Sequence, residues 1–238
     1  LRDFGFPGRV YGVNPKLGEV LGFSCYPSIM DIPELVDYVI CCIPASATPQ
    51  LMRECVAKGV KVVHLFTGRF SETGSEEGAR LEREIARIAQ EGGVRLIGPN
   101  CMGTYYPKGG LAFKYNFPKD GGDVGFFSQS GGNAVELTYR GSLRGLRFSK
   151  VISYGNACDL NESDFLEYFI SDPETKIIAG YIEGVKDGPR FLRALRAAAR
   201  VKPVIVLKGG KTEAGTRAVV SHTGSLAGSR TIWDALLS

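Results

Sequence analysis

The chain has 238 residues, of which 44% are hydrophobic and 23% charged, and its 29 Lys and Arg residues against 25 Asp and Glu residues give a formal net charge of +4. This composition is ordinary for a globular protein with a full apolar core, and the length favours two domains over one. The mild, evenly scattered positive charge argues against a nucleic-acid partner, and the lack of a long apolar stretch or a signal peptide argues against a membrane.

Short apolar strands alternate with helical segments in the first half of the chain, which indicates parallel α/β architecture. We predict strands at residues 9–13, 36–43, 60–66 and 94–97 and helices at 49–58 and 75–90. Ser75 suits the N-cap of the second helix, and Gly59 suits the C-cap of the first. Residues 1–5 are typical of the tail of a helix, so we expect the chain to begin inside a domain whose first strand is missing.

The second half repeats this construction without repeating the sequence. Residues 105–123 are rich in Gly, Pro and Lys and lose periodicity, so we predict one domain at 1–118 and another at 119–238. Predicted strands at 124–127, 148–153, 177–182 and 204–207, with helices at 133–144, 162–170 and 189–200, favour a flavodoxin-like sheet. We expect a last helix to start after Gly228 and to be clipped where the chain stops.

The cysteines indicate neither a metal site nor a redox motif. Six are present, and no two are spaced as a CxxC pair. Cys41 and Cys42 are neighbours in a predicted strand and should point to opposite faces of the sheet. We therefore expect reduced, mostly buried thiols, a cytoplasmic location and no bound metal.

Ligands of an open parallel sheet bind where the strands have their carboxyl ends, and a serine- and glycine-rich loop lies at one such end. Ser128, Gln129, Ser130, Gly131 and Gly132 follow a predicted strand and open a predicted helix. Free amides and the helix dipole can bind phosphate or another anion there. A tight turn that needs glycine for its geometry explains the loop equally well.

Two further loops also end predicted strands. Asn100 and Cys101 lie in the irregular turn at residues 98–103, where we expect both side chains to be exposed to a ligand. Asn14, Pro15 and Lys16 end the first strand, where a lysine can meet the phosphates of a nucleotide-like ligand. Each signal alone is weak, because most such loops are turns and most such lysines are solvated.

The chain has two histidines in contrasting settings. His64 lies in an apolar run and is expected in the core of a strand. His222 lies among small polar residues and glycine, where an imidazole is free to act as a nucleophile or a proton carrier. Glu183 ends another predicted strand and can hold the second nitrogen of such a ring, although a lone glutamate is more often an ordinary surface acid.

A set of motifs in a fixed order identifies the chain by resemblance. The segments are Val13-Asn14-Pro15-Lys16, Ile43-Pro44-Ala45, Gly98-Pro99-Asn100-Cys101, Ser128-Gln129-Ser130-Gly131, residues 153–159, Tyr181-Ile182-Glu183-Gly184, residues 202–210 and residues 221–229. With this ordered set, the chain resembles the NDP-forming acyl-CoA synthetases, which are related to the α-subunit of succinyl-CoA ligase, over essentially its whole length. No single motif suffices, and the resemblance rests on the ordered set.

The resemblance implies a Rossmann-like CoA-binding domain followed by a flavodoxin-like, succinyl-CoA ligase-like domain. It implies a ping-pong ligase in which His222 accepts phosphate, Glu183 orients that histidine and the loop 128–132 cradles phosphate. Coenzyme A is expected to contact Asn14, Pro15, Lys16, Ile43, Pro44, Thr67, Asn100 and Cys101. ADP or ATP (or GDP or GTP), with Mg²⁺, is expected to be held mainly by an ATP-grasp domain or β-type subunit, in an oligomer.

The sequence departs from the family pattern at three places. The opening glycine loop of the CoA domain is absent together with the expected first strand. The match at Thr67-Gly68-Arg69 is shorter than elsewhere. Gly132-Asn133 stands where Ala-Leu or Thr-Leu is expected, which bears on acyl specificity or phosphate geometry.

Two other functions are compatible with parts of the sequence. A non-catalytic module that senses CoA or acyl-CoA, as in protein acyltransferases, would share the fold but typically lacks the histidine. An NAD(P)-dependent dehydrogenase would share only the nucleotide-binding fold, which is a weak argument for function. His222 therefore favours the ligase, whose substrates would be acyl-CoA, phosphate and a carboxylic acid.

Overall fold

A computed structural model describes residues 1–210, and the structural statements below concern these residues. Residues 211–238, which include His222 and the predicted last helix, lie outside the described part. None of the helices in residues 1–210 is long and apolar enough to cross a membrane.

The first half of the chain forms two small sheets and two helices. Strands β1 (Gly12–Val13), β2 (Glu19–Val20) and β3 (Phe23–Tyr26) pair in the order β1-β3-β2, with β2 antiparallel. Strands β4 (Tyr38–Cys41), β5 (Val62–Leu65) and β6 (Arg95–Ile97) form a parallel sheet in sequence order. The four predicted strands are present but shorter, and β2 and β3 were not predicted.

One helix of the first half ends at its predicted C-cap, and the other begins at its predicted N-cap. Helix α1 (Thr48–Lys58) ends at Gly59, whose φ of 76° is the left-handed conformation that favours glycine. Helix α2 (Glu76–Gly92) begins after Ser75, whose hydroxyl accepts a hydrogen bond from the Gly78 amide. Its buried face contains Leu81, Ile85 and Ile88, as the helical spacing predicts. Helix caps and apolar periodicity thus determine these elements locally.

The second half is built on a five-stranded sheet. Strand β7 (Gly103–Tyr105) is followed by β8 (Val124–Ser128), β9 (Phe148–Ser153), β10 (Ile177–Ile182) and β11 (Val204–Lys208), and the order across the sheet is β11-β10-β8-β9-β7. All neighbouring strands are parallel except β7, which runs antiparallel to β9. Helices α3 (Gly131–Ser142), α4 (Glu162–Ser171) and α5 (Gly188–Val201) connect the parallel strands.

Strand β7 bears on the predicted domain boundary between residues 118 and 119. This strand lies within the predicted first domain, yet it pairs with β9 of the second, from Gly103 opposite Ser153 to Tyr105 opposite Val151. It is a three-residue antiparallel edge strand, too short to give a periodic signal in the sequence. The boundary stays a prediction, and the second sheet extends to the N-terminal side of it.

Burial agrees with the sequence pattern at several core positions. Cys41 is buried and Cys42 is exposed, as expected for neighbours in a strand. His64 is buried in β5, where its ring stacks on Tyr38, and burial lowers its pKa to about 4. The ring is therefore neutral near pH 7 and forms part of the core.

The loop after β9 joins the two halves by backbone hydrogen bonds. The amide of Leu160 donates to the Leu96 carbonyl at 3.2 Å, and the amide of Cys158 donates to the Gly98 carbonyl at 3.0 Å. Asp159 adds a side-chain link, because its carboxylate accepts the Leu96 amide at 2.7 Å and the Arg95 guanidinium at 3.0 Å. Residues 156–160 therefore run beside β6 and the loop that follows it.

We expect Asp159→Ala to lower the free energy of unfolding by about 1–3 kcal/mol, because the Leu96 amide then loses its acceptor at a buried residue. The ion pair with the half-exposed Arg95 adds little. Urea unfolding measures the change. Asp37→Ala is the control, because among residues 1–210 that carboxylate pairs only with Lys61 at the surface and its loss should leave the midpoint near that of the wild type. Equal effects of the two variants would contradict the assignment.

Glu162, the first residue of α4, is a buried acid with an unusual proton affinity. Its side chain is 2% exposed, and one carboxylate oxygen has no hydrogen-bond partner among the described residues. Burial raises its pKa to about 7 from 4.5, against the lowering effects of its own amide, Lys186 and Arg190. Between pH 4.5 and about pH 7, the folded chain retains a proton on Glu162 that the unfolded chain releases. The contribution of Glu162 to the free energy of unfolding therefore falls as the pH rises through this range.

Glu162→Gln removes this titration. The stability of the variant relative to the wild type should increase by up to about 3 kcal/mol between pH 4.5 and pH 8. Urea unfolding of both proteins at pH 5 and pH 8 measures the difference, from which the titration of His64 cancels. Parallel pH profiles for the two proteins would show that Glu162 does not hold the proton.

Candidate active site

The loops at the carboxyl ends of the strands meet where the two halves of the chain join. A methyl group added at Gly131 would lie 2.7 Å from Cγ of Met102, so the start of α3 touches the loop after β6. The Met102 amide donates to the Ser153 hydroxyl at 3.1 Å, at the end of β9. The segment expected to receive the CoA thiol and the segment expected to bind phosphate therefore lie side by side.

The loop between β8 and α3 uses its side chains to shape itself. The Ser128 hydroxyl donates to the Ser130 carbonyl at 2.6 Å, and the Ser130 hydroxyl caps α3 by accepting the Asn133 amide at 3.3 Å. The amides of Gly131 and Gly132 open the helix and make no hydrogen bond within residues 1–210. The loop is thus a tight turn that also leaves amides free, and its phosphate-binding role stays a prediction.

Gln129 links this loop to Glu183. The Gln129 side-chain oxygen accepts the amides of Glu183 and Gly184 at 2.7 and 3.0 Å. Both donors lie directly after β10, so the glutamine holds the two loops at a fixed separation. This function of Gln129 was not predicted from the sequence, since it depends on the neighbouring strand.

Glu183 is a buried acid, so its alternative reading as an ordinary surface residue is wrong. The residue is 4% exposed, and Oε2 has no hydrogen-bond partner among the described residues. Lys208 donates to its backbone carbonyl at 2.8 Å, which fixes the main chain. The phenol of Tyr181 is close by, and burial together with the Glu183 charge raises its pKa to about 12. A buried carboxylate oxygen without a donor suits a partner from outside residues 1–210.

Three of the predicted CoA-contacting residues come together at the ends of β4, β5 and β6. The Thr67 hydroxyl donates to the Ile43 carbonyl at 2.6 Å, and the Thr67 carbonyl accepts the Asn100 amide at 2.9 Å. Pro44, next in the chain, is exposed. Asn100 is half-buried, with a φ of 58° in the left-handed region.

Cys101 corrects one expectation, because its thiol is not exposed. The residue is 4% exposed, its sulfur donates to the Leu65 carbonyl at 3.6 Å, and burial raises the pKa of the thiol. Its carbonyl lies 3.3 Å from Nε2 of His64. Polarity in the sequence around Cys101 suggested exposure, but the close packing of the loop on β5 turns the thiol inward. The contact of Asn100 with CoA stays a prediction.

Asn14, Pro15 and Lys16 lie at the end of β1, in the other small sheet. The Asn14 amide donates to the Tyr26 carbonyl at 2.9 Å, and its side chain accepts the Lys16 amide at the same distance. Pro15 and Lys16 are exposed. Within residues 1–210, no hydrogen bond joins these three residues to Ile43, Thr67 or Asn100.

The loop after β9 contains a polar residue to which the sequence assigned no role. Asn156 is 8% exposed and its side chain contacts two glutamates of the first half of the chain. The run of residues 153–159 had contributed to the resemblance, which was the one available signal.

No group of three or more His, Cys, Asp and Glu residues suited to a metal occurs within the described range.

Comparison with protein families and known proteins agrees with this arrangement. The chain matches a CoA binding domain over residues 1–107 and a succinyl-CoA ligase-like flavodoxin domain over residues 121–238. These matches confirm the predicted fold class of two successive α/β domains.

Two relatives and one solved structure are similar over nearly the whole chain. Acetate–CoA ligase [ADP-forming] I of Archaeoglobus fulgidus is 45% identical over 94% of this chain and 33% of its own length. The α-subunit of acetate–CoA ligase [ADP-forming] II of Pyrococcus furiosus is 45% identical over 96% of this chain and 50% of its own length. A dinucleotide forming acetyl-coenzyme A synthetase 1 from Ca. Korarchaeum cryptofilum, solved in complex with phosphate and ADP, has a TM-score of 0.91 at 36% identity, over 100% of this chain and 51% of that one.

The chain therefore spans between a third and a half of the length of these relatives. The CoA binding domain comes first and the succinyl-CoA ligase-like domain second, which is the order that the resemblance implied. The matching domains and the similarity over nearly all of its residues show that the chain belongs to the NDP-forming acyl-CoA synthetase family, which is related to the α-subunit of succinyl-CoA ligase.

Proposed function

We propose that the chain is the CoA-binding and phosphohistidine-bearing part of an NDP-forming acid–CoA ligase. The overall reaction converts acyl-CoA, phosphate and ADP to a carboxylic acid, CoA and ATP, reversibly. One observation carries the proposal: the start of α3 touches Met102 of the loop after β6, and Gln129 ties that start to the buried Glu183. The proposed anion site, the proposed thiol-binding loop and the proposed orienting carboxylate thus share one edge.

The reaction requires phosphate and thioester to meet at this edge. A phosphate oxygen attacks the thioester carbonyl, the carbon–sulfur bond breaks, and CoA leaves as a thiolate that takes a proton. The amides of Gly131 and Gly132, with the dipole of α3, stabilise the negative charge on the phosphate. The loop that contains Asn100 is expected to hold the thiol end of CoA near that phosphate.

His222 would then take the phosphoryl group from the acyl phosphate. Its neutral ring nitrogen attacks phosphorus, and the carboxylic acid leaves as its anion. Glu183 would accept a hydrogen bond from the other ring nitrogen, which keeps the attacking nitrogen free of a proton. Oε2 of Glu183 is buried and has no hydrogen-bond partner within residues 1–210, which supports this role, because an N–H donor would satisfy it.

The nucleotide would be bound by an ATP-grasp domain or a β-type subunit, which also supplies Mg²⁺. The name of one relative as an α-subunit supports a second component. We also propose an oligomer in the cytoplasm. Acetate is the first acid to test, because the two relatives at 45% identity are named for it.

His222→Asn should abolish labelling of the complete ligase by γ-labelled ATP, because asparagine cannot form a phosphoramidate. The wild-type label should be acid-labile and alkali-stable. Autoradiography after mild acid and alkali treatment measures both properties. A wild-type protein that binds CoA but never takes up label would instead indicate a sensory module.

Glu183→Gln should slow phosphorylation by roughly 100-fold, because the ring loses the charged acceptor that orients it. Rapid-quench measurement of the labelled protein gives the rate. Glu136→Gln is the control, since that exposed residue of α3 pairs only with Arg140 among the described residues. The orienting role is ruled out by rates that match in the two variants.

A further inference from the structure

The side chain of Asn156 makes hydrogen bonds through both its nitrogen and its oxygen at the junction of the two domains. Nδ2 lies 2.6 Å from Oε2 of Glu72, 2.8 Å from Oε2 of Glu82 and 3.4 Å from the Ser71 hydroxyl, so both amide protons have acceptors. Oδ1 accepts a hydrogen bond from the Asn100 side chain at 3.4 Å. The two carboxylates determine the orientation of this amide, because its oxygen cannot face either of them.

The two glutamates connect Asn156 to the turn after Thr67. Oε1 of Glu72 accepts the Arg69 amide at 2.6 Å, and Oε2 accepts the Phe70 amide at 3.1 Å. Arg69 has a φ of 74°, which is costly for a bulky residue and needs support from its surroundings. Oε2 of Glu82 accepts the Ser71 hydroxyl at 2.6 Å. The carboxylate that holds this turn is itself held by Asn156.

The backbone around Asn156 holds the second loop of the CoA region. The backbone N–H of Asn156 donates to the Pro99 carbonyl at 3.0 Å. A methyl group at Gly155 would lie 2.2 Å from that carbonyl oxygen, so only glycine permits this approach. The residue before Asn156 thus lets the loop after β9 lie directly on the loop that contains Asn100.

The same segment also reaches the phosphate side of the site. Nζ of Lys186 donates to the carbonyls of Asn156 and Ala157 at 2.9 and 2.8 Å. Lys186 lies three residues after Glu183, in the loop that follows β10. Within residues 156–160, Asn156 is the residue whose side chain makes hydrogen bonds to both Asn100 and Glu72.

We propose that Asn156 is a positioning residue of the CoA site: from the second domain, its amide holds the turn after Thr67 and the loop of Asn100 in the arrangement that receives the thiol end of CoA. This inference rests on the proposed function and adds a residue to it. Aspartate has the same shape but would place a carboxylate oxygen against the half-buried carboxylate of Glu72 and the buried one of Glu82, so the site requires an amide.

Asn156→Asp in the complete ligase separates a positioning role from a general loss of structure. Phosphorylation by γ-labelled ATP requires no CoA and should stay within about twofold of the wild type. The kcat/KM for CoA in thioester synthesis should fall by about 100-fold, as for a misplaced binding group. Asn156→Ala, which removes the amide without adding charge, should impair the same step, and serves if the aspartate variant does not fold.

Asn161→Asp is the matched control. It makes the same chemical change five residues further along, at the N-cap of α4, where aspartate caps as well as asparagine. Its kcat/KM for CoA should remain within about twofold of the wild type. An equal loss of labelling and of thioester synthesis in Asn156→Asp, or no loss of either, would overturn the proposal.

Failure of the proposed function gives a different result. If the wild-type ligase takes up no label from ATP, calorimetric titration with CoA alone decides the inference. Binding to the wild type that weakens at least about tenfold in Asn156→Asp, with Asn161→Asp unchanged, would support the positioning role without any ligase chemistry. Equal CoA affinities in the three proteins would reject it.

Discussion

The backbone hydrogen bonds between the loop after β9 and the segment that begins at β6 are the constraint on which the site depends. Leu160 binds Leu96, Cys158 binds Gly98, and Asn156 binds Pro99, each through main-chain groups. Main-chain pairing of this kind allows little sliding, because each donor has one acceptor at a fixed spacing. It therefore determines where the loops at the ends of two separate sheets meet.

Acidic side chains surround a site that is proposed to bind phosphate and CoA, both of them anions. Glu72 and Glu82 share the amide of Asn156, and Lys186 lies behind the same loop. The negative charge of the two glutamates is thus balanced within the protein, because their carboxylates accept hydrogen bonds from the Asn156 side chain and from backbone amides. Within residues 1–210, the first amides of α3 and one carboxylate oxygen of Glu183 have no hydrogen-bond partner, and these are the groups proposed to meet phosphate and His222. The proposed binding of phosphate and the proposed orientation of His222 thus depend on different groups at one edge of the sheet.

Local pattern was sufficient for most helices and strands. Strands β9 and β10 have the predicted bounds, and α2 begins after Ser75 as expected, since caps and apolar periodicity act within a few residues. Strands β2, β3 and β7 were not predicted, because they are short and are defined by their pairing partners. The predicted exposure of the Cys101 thiol was wrong for the same reason, because the residue that buries it, Leu65, lies in β5.

The sequence by itself determined the family, the order of the two domains and the residue types at the ends of the strands, since these follow from motifs and periodicity along the chain. Only the tertiary structure decided that Gln129 binds the loop of Glu183, that Glu183 is buried, and that Asn156 joins Glu72 to Asn100. These partners are 54, 84 and 56 residues apart along the chain. Hydrogen bonds over such separations depend on how the sheets pack, which no local pattern encodes.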